Sequence, residues 1–237
     1  MPRRPHPPSR LQRRLACHQA LHDPRLEPRN GLPWLPEVRR WQAARLEASF
    51  ARFLADPRRQ AAARFFLTDV YGDHDFSRRD ADLARVLPLM QGLLPAALLD
   101  TVADGIELGV LTQAFDLRMA QVLARHSPRR RRLDPALYAA AYRDVGRPRV
   151  RDRQIALIGR VGAGLEHAVR TQGIGMLLRV SRGPARAAGL AELQGFLERG
   201  FDAFARLDGP RAFLVEIQRD ERALAARLFG GDPDPFR

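Results

Sequence analysis

The sequence predicts an all-α chain: a multi-helix, bundle-like single domain behind a basic, proline-rich N-terminal extension. Three observations predict it. Alternating β-branched runs are missing, so strand signals are nearly absent. Alanine, leucine and arginine dominate, and all three are good helix formers. Helix starts are marked at Asp56-Pro57, Asp134-Pro135 and Gly209-Pro210, where a first-turn proline loses no hydrogen bond.

The elements follow in order. A helix over 9–22 places Leu11, Leu15, His18 and His22 on one face. Helix 36–55 carries the stripe Trp41, Leu46, Phe50, Phe53 and Leu54, and helix 57–71 brings Phe65, Phe66, Val70 and Tyr71 near its end. Gly72 suits a C-terminal stop there, Phe76 a hydrophobic staple, and Ser77 the N-cap of a helix over 78–92 that Pro88 should kink. Helices over 95–109, 112–126 and 135–144 come next. Then follow 149–172, 174–182, 187–207 (with Phe196, Leu197, Gly200, Phe201 and Phe204 on one face) and 210–229 (with Leu214, Ile217, Leu224 and Leu228). Residues 1–34 read as the extension and 35–230 as the helical domain. Residues 127–134 are an internal linker candidate and 231–237 a mobile tail.

Composition sets limits. Of 237 residues, 45% are hydrophobic, enough for one sizeable core. One cysteine, Cys17, excludes an internal disulfide framework and fits a reducing compartment. No run has the length of a membrane span, and MPRRPHPPSR lacks the apolar stretch of a secretory signal, so a soluble cytoplasmic protein is expected. The formal charge is +13, and every one of the 40 basic residues is arginine. A GC-rich genome favours arginine codons, so the distribution informs more than the total. Residues 1–40 and 127–153 each hold nine arginines against three acids.

Residues 65–90, FFLTDVYGDHDFSRRDADLARVLPLM, are the most distinctive stretch. Asp69, Asp73, His74 and Asp75 could bind a metal or run acid–base chemistry. A corner between two helices accounts for the same residues, because carboxylates before a helix are favoured by its dipole. The stretch, with LLP at 93–95, RDRQIALIG at 151–159 and the run over 182–229, resembles an uncharacterised family of proteobacterial proteins with the pattern FFLxDxYGxxDFxxRDxDLxRVxPxM. The likeness covers about residues 35–230. It implies an all-helical fold and carries no activity or catalytic residue. The basic extension lies outside it.

Other candidates each have a structural account. His18 and His22, next to Cys17, have metal-ligand spacing but continue an apolar docking face. His126 and His167 lack the companions of a haem ligand. Gly159, Gly162 and Gly164 follow no strand, so they suit close helix packing rather than a phosphate cradle. No metal or cofactor is expected. The strongest candidates are Arg129, Arg130, Arg131, Arg132, Arg149, Arg151 and Arg153, as an anion or nucleic-acid contact. Only Tyr138 and Tyr142 lie near enough in sequence to stack bases.

The leading expectation is a non-enzymatic binding or regulatory module working through protein–protein or self-association surfaces. The first alternative is a nucleic-acid-associated protein using residues 3–40 and 129–153. The second is a helical-bundle enzyme or ligand sensor. A nucleic-acid binder should unite its basic segments in one patch. An interaction protein should scatter its arginines and expose an apolar patch, and an enzyme or sensor needs a pocket with converging polar groups.

Overall fold

The computed structural model describes residues 9–70, 85–86, 95–127, 129 and 132–237. Among these residues there are ten α-helices and no strand. The first five are α1 (Arg10–His22), α2 (Trp34–Leu54), α3 (Gln60–Phe65), α4 (Ala96–His126) and α5 (Pro135–Val145). They are followed by α6 (Pro148–Arg170), α7 (Ile174–Val180), α8 (Arg182–Ala187), α9 (Ala191–Ala205) and α10 (Pro210–Gly230). A 3-10 turn precedes α2 at Pro28–Gly31, and a π turn extends α3 over Phe66–Val70. Among the described residues, no helix is long and apolar enough to cross a membrane. Gly72, Asp73, His74, Asp75, Phe76, Ser77 and Pro88 lie outside the described residues.

Local chemistry sets the helix ends. The Ser9 hydroxyl accepts the Gln12 N–H while the Gln12 side chain accepts the Ser9 N–H, a reciprocal cap that starts α1. Asp134 caps α5 by accepting the Leu137 N–H at 2.8 Å, with Pro135 in the first turn. At Asp56-Pro57 the outcome differs from the sequence reading. The Asp56 carboxylate takes the Arg58 N–H at 2.9 Å, which closes a local turn, and α3 starts only at Gln60.

The two helices expected over 95–109 and 112–126 are one, α4, of 31 residues and about 47 Å. Gly109 does not stop it, and its φ is not positive. A Cβ at Gly109 would lie 3.0 Å from His18 Nε2, so the missing side chain is what lets α1 approach. Leu11 and Leu15 of α1 are buried with Ala103 and Ile106 of α4, and His18 is buried beside them.

Helix α4 is the central pillar. Helices α1, α2, α5 and α6 pack against it, and α6 lies between α4 and α10. One apolar cluster joins α2, α3, α6, α9 and α10 around Phe50, Phe53, Phe66, Phe204 and Phe213. A second joins α2, α4, α5 and α10 around Val38, Phe115, Leu123, Tyr142 and Leu228. Phe65, Phe66 and Phe204 are buried together as expected, and Phe196 packs at their margin. Phe201 departs from that group: its ring lies against Gly175 of α7. Residues 231–237, read as a tail, return along the domain. Pro235 is buried and accepts from Arg227 Nε at 2.8 Å, and Phe236 packs edge-on to Trp41 at 5.1 Å.

The glycines of α6 act as contact points, as their spacing suggests. A Cβ at Gly162 would come within 2.2 Å of Leu214 on α10, and one at Gly164 within 2.0 Å of Thr101 on α4. Helix α6 therefore touches both neighbours almost backbone to side chain. Leu214 is buried, so it has little room to yield. Gly162→Ala should cost about 1–3 kcal/mol by overpacking, despite the better helix propensity of alanine. Urea denaturation checks this; an unchanged or raised midpoint would contradict the close approach.

Candidate functional site

Two charged clusters lie between the helices that pack on α4 and α10. The inner one centres on Glu221 of α10. Arg45 Nη1 of α2 donates to it at 2.7 Å and Arg151 Nη2 of α6 at 2.9 Å. Arg151 also donates to Gln154, which donates in turn to Thr112 of α4 at 2.6 Å. Burial pushes the Glu221 carboxyl up, but Arg45 and Arg151 outweigh it and hold Glu221 below the usual carboxylate range. Arg45 is likewise lowered by burial and raised further by Glu221, with a net rise.

Asp116 of α4 lies beside this cluster and is 5% exposed. Gln42 donates to it at 2.9 Å. Burial raises its carboxyl to about 6, against the pull of Arg39 from α2 and Arg151 from α6. Tyr138 of α5 is buried nearby and pushed well above the ordinary tyrosine range, burial being the main cause. Arg39 itself donates to Gln113 at 2.7 Å, and Gln113 donates to Asn30 at 2.8 Å. Asn30 holds the Leu21 and Glu27 carbonyls, which fixes the passage from α1 to α2.

The outer cluster sits where α1 and α6 meet α4. Asp104 accepts from Arg10 at 2.8 Å, Arg14 at 3.0 Å and Arg160 at 2.9 Å. Glu107 pairs with Arg14 and Arg153. Asp100 takes Arg10 as well, at 3.3 Å. Burial works against the Asp104 charge, but hydrogen bonds from Arg160 and Arg14 win and lower its pKa.

The sequence candidates thus part company. Arg151 turns inward to Glu221, with its side chain 14% exposed. Arg153 reaches from α6 across to Glu107 of α4. Arg129, Arg132 and Arg149 are exposed, and Arg130 and Arg131 lie outside the described residues. The two basic segments do meet, through Arg10, Arg14 and Arg153, but they meet on carboxylates. In the expected linker, the Leu133 N–H donates to Glu37 of α2 at 2.8 Å. Asp69 pairs with Arg199 of α9 at 2.6 Å. His18 and His22 stack at 4.2 Å, and the described residues hold no cluster of three or more metal-ligating side chains.

A different surface was not singled out from sequence. Five of the seven residues of α7 are large and apolar (Ile174, Met176, Leu177, Leu178 and Val180), yet none is buried. Met176 is 64% and Val180 66% exposed, one helical turn apart. Beside them, a cleft of about 250 Å³ is lined by Gly175, Leu178, Arg179, Arg182, Phe201 and Asp202, among others. Arg182 pairs with Glu198 at 2.7 Å, and Gln194 donates to the Leu178 carbonyl at 2.6 Å, which fastens α7 and α8 to α9. The signal was readable as an apolar run, IGMLL, on a helix too short to belong to the core stripe pattern.

Two substitutions test the inner cluster. Glu221→Ala strands two guanidiniums and should cost about 3–5 kcal/mol by urea denaturation. Asp116→Asn should act in the opposite direction. A carboxyl whose folded pKa is raised stabilises the fold below its unfolded pKa, and that contribution is lost as pH rises through about 6. At pH 7–8 the asparagine variant should therefore be more stable by about 2 kcal/mol, with the gain vanishing near pH 4. Thermal melts across pH check it; a variant less stable at pH 8 would show that the ionised carboxylate is needed. Asp104 and Glu221 carry the contrary dependence, lending stability at neutral pH that falls away as they protonate.

No curated protein and no solved structure matches this chain. A family model does, over residues 21–235, almost from the end of α1 to the docked C-terminus. It begins earlier than the resemblance drawn from the sequence, taking in the turn held by Asn30 as well as α2. The chain belongs to the family described as a domain of unknown function, DUF8198.

Proposed function

We propose that this chain is a non-enzymatic helical binding module that engages a protein partner through the α7–α8 face. The observation that carries this reading is α7 itself: a helix of mostly large apolar residues, none of them buried, with Met176 and Val180 forming an open ridge. An exposed apolar patch rimmed by polar groups marks an interaction site in a protein that is otherwise well packed. The arginines add support. Arg10, Arg14, Arg45, Arg151, Arg153 and Arg160 are engaged with carboxylates of this chain, so much of the positive charge works in holding helices together. The nucleic-acid alternative rests on the exposed Arg129, Arg132 and Arg149, which lack a row of stacking aromatics.

A photo-crosslinking side chain at position 176 tests the reading in native lysate, with position 26 as control because Leu26 is equally exposed but isolated. The expected result is a protein adduct at 176, absent at 26 and abolished by Val180→Arg. An adduct removed by nuclease, the same adducts at both positions, or none at 176 would sink it.

A further inference from the structure

We infer that the α7–α8 face takes an acidic amphipathic segment of its partner, an inference that rests on the protein-binding reading above. The argument is one of charge. Residues 173–190, which include α7 and α8, hold three arginines (Arg179, Arg182 and Arg186) and no acidic residue. Glu198 of α9 occupies Arg182. Arg179 and Arg186 are exposed and make no ion pair among the described residues. Arg179, on the same helix as Met176 and Val180, therefore stands unpaired at the edge of the ridge, and Arg186 of α8 shares the field of Glu198 with Arg182. A segment that covers the ridge with apolar side chains brings its other face beside these arginines, and carboxylates are what they pair with, bidentately.

The other occupants fit less well. A second copy of this chain would bring together two bodies of formal charge +13 and set arginine against arginine at the ridge. An anionic membrane surface would suit the arginines, but the exposed apolar residues of α7 are aliphatic, without the tryptophan or tyrosine that anchors at a lipid interface. The neighbouring cleft favours a protein. Phe201 and Leu178 line it, and the volume of about 250 Å³ suits a single large side chain. Interfaces between proteins concentrate their affinity in such anchors.

The test uses the full chain in two steps. In lysate, the adduct at position 176 is followed in an Arg179→Glu, Arg186→Glu double variant. The purified chain is then titrated with a fluorescent synthetic helix of leucine, alanine and glutamate, and with versions carrying glutamine or lysine in place of glutamate. Vesicles of phosphatidylserine and phosphatidylcholine serve as the lipid probe. The expected outcome is loss of the adduct in the charge-reversed variant. The glutamate helix should bind at least about tenfold more tightly than the glutamine helix at about 50 mM salt, and the charge-reversed variant should prefer the lysine helix. An adduct that survives charge reversal yet is lost with Val180→Arg would overturn the acidic partner while leaving protein binding intact. So would equal binding of the glutamate and glutamine helices. Preferential vesicle binding, or a crosslink confined to the chain itself, would overturn both.

Discussion

A carboxylate held between two guanidiniums, all three largely withdrawn from water, determines how α2, α6 and α10 meet. Glu221 is buried, and Arg45 and Arg151 keep only a small part of their surface in water, so each depends on the others in one arrangement. Apolar contacts between helices tolerate sliding by a turn, whereas this group does not. Its reach extends through Gln154 to Thr112, and so to the central pillar α4. The close approaches at Gly162 and Gly164 set how near the helices come, and the buried charges set which turn faces which.

The absence of lysine matters here in physical terms. A guanidinium is a fork, and several arginines use both tines on different carboxylates. Arg14 joins Asp104 to Glu107, and Arg59 joins Asp56 to Glu216. An ammonium concentrates its charge at one point and would hold such pairs less rigidly. The outer cluster is a lattice of this kind, with Arg10 and Arg14 of α1 and Arg153 and Arg160 of α6 sharing the carboxylates of α4. Arginines that the sequence offers as surface charge thus serve in these clusters as mortar between helices.

That use of arginine was not legible in the sequence, and the reason is geometric. Arg45 and Glu221 lie 176 residues apart, and no local pattern connects them. Arg149, Arg151 and Arg153 look equivalent in a row, but successive helical residues turn by about 100°, so Arg151 points to Glu221 while Arg153 points to Glu107. The all-helical class was legible, because it needs only propensity and starts. So was the packing role of Gly159, Gly162 and Gly164, since glycine away from any strand has few other uses. Gly109, where the expected helix 95–109 ends, lies inside α4 and is a docking notch for His18. The α7 face went unread because an apolar run looks alike whether its partner lies in the chain or outside it.

The ring of Phe236, 5.1 Å from that of Trp41 in space and most of the chain away in sequence, bears on how the protein is made. The second cluster contains residues from α2, one of the earliest helices, together with the last turns of α10 and the chain end behind it. A nascent chain leaving the ribosome exposes Trp34, Leu35 and Val38 long before Leu224, Leu228 and Phe236 are synthesised. The second cluster therefore closes only after residue 236 has been made, and until then the early helices keep these apolar sides open to chaperones or to neighbouring chains.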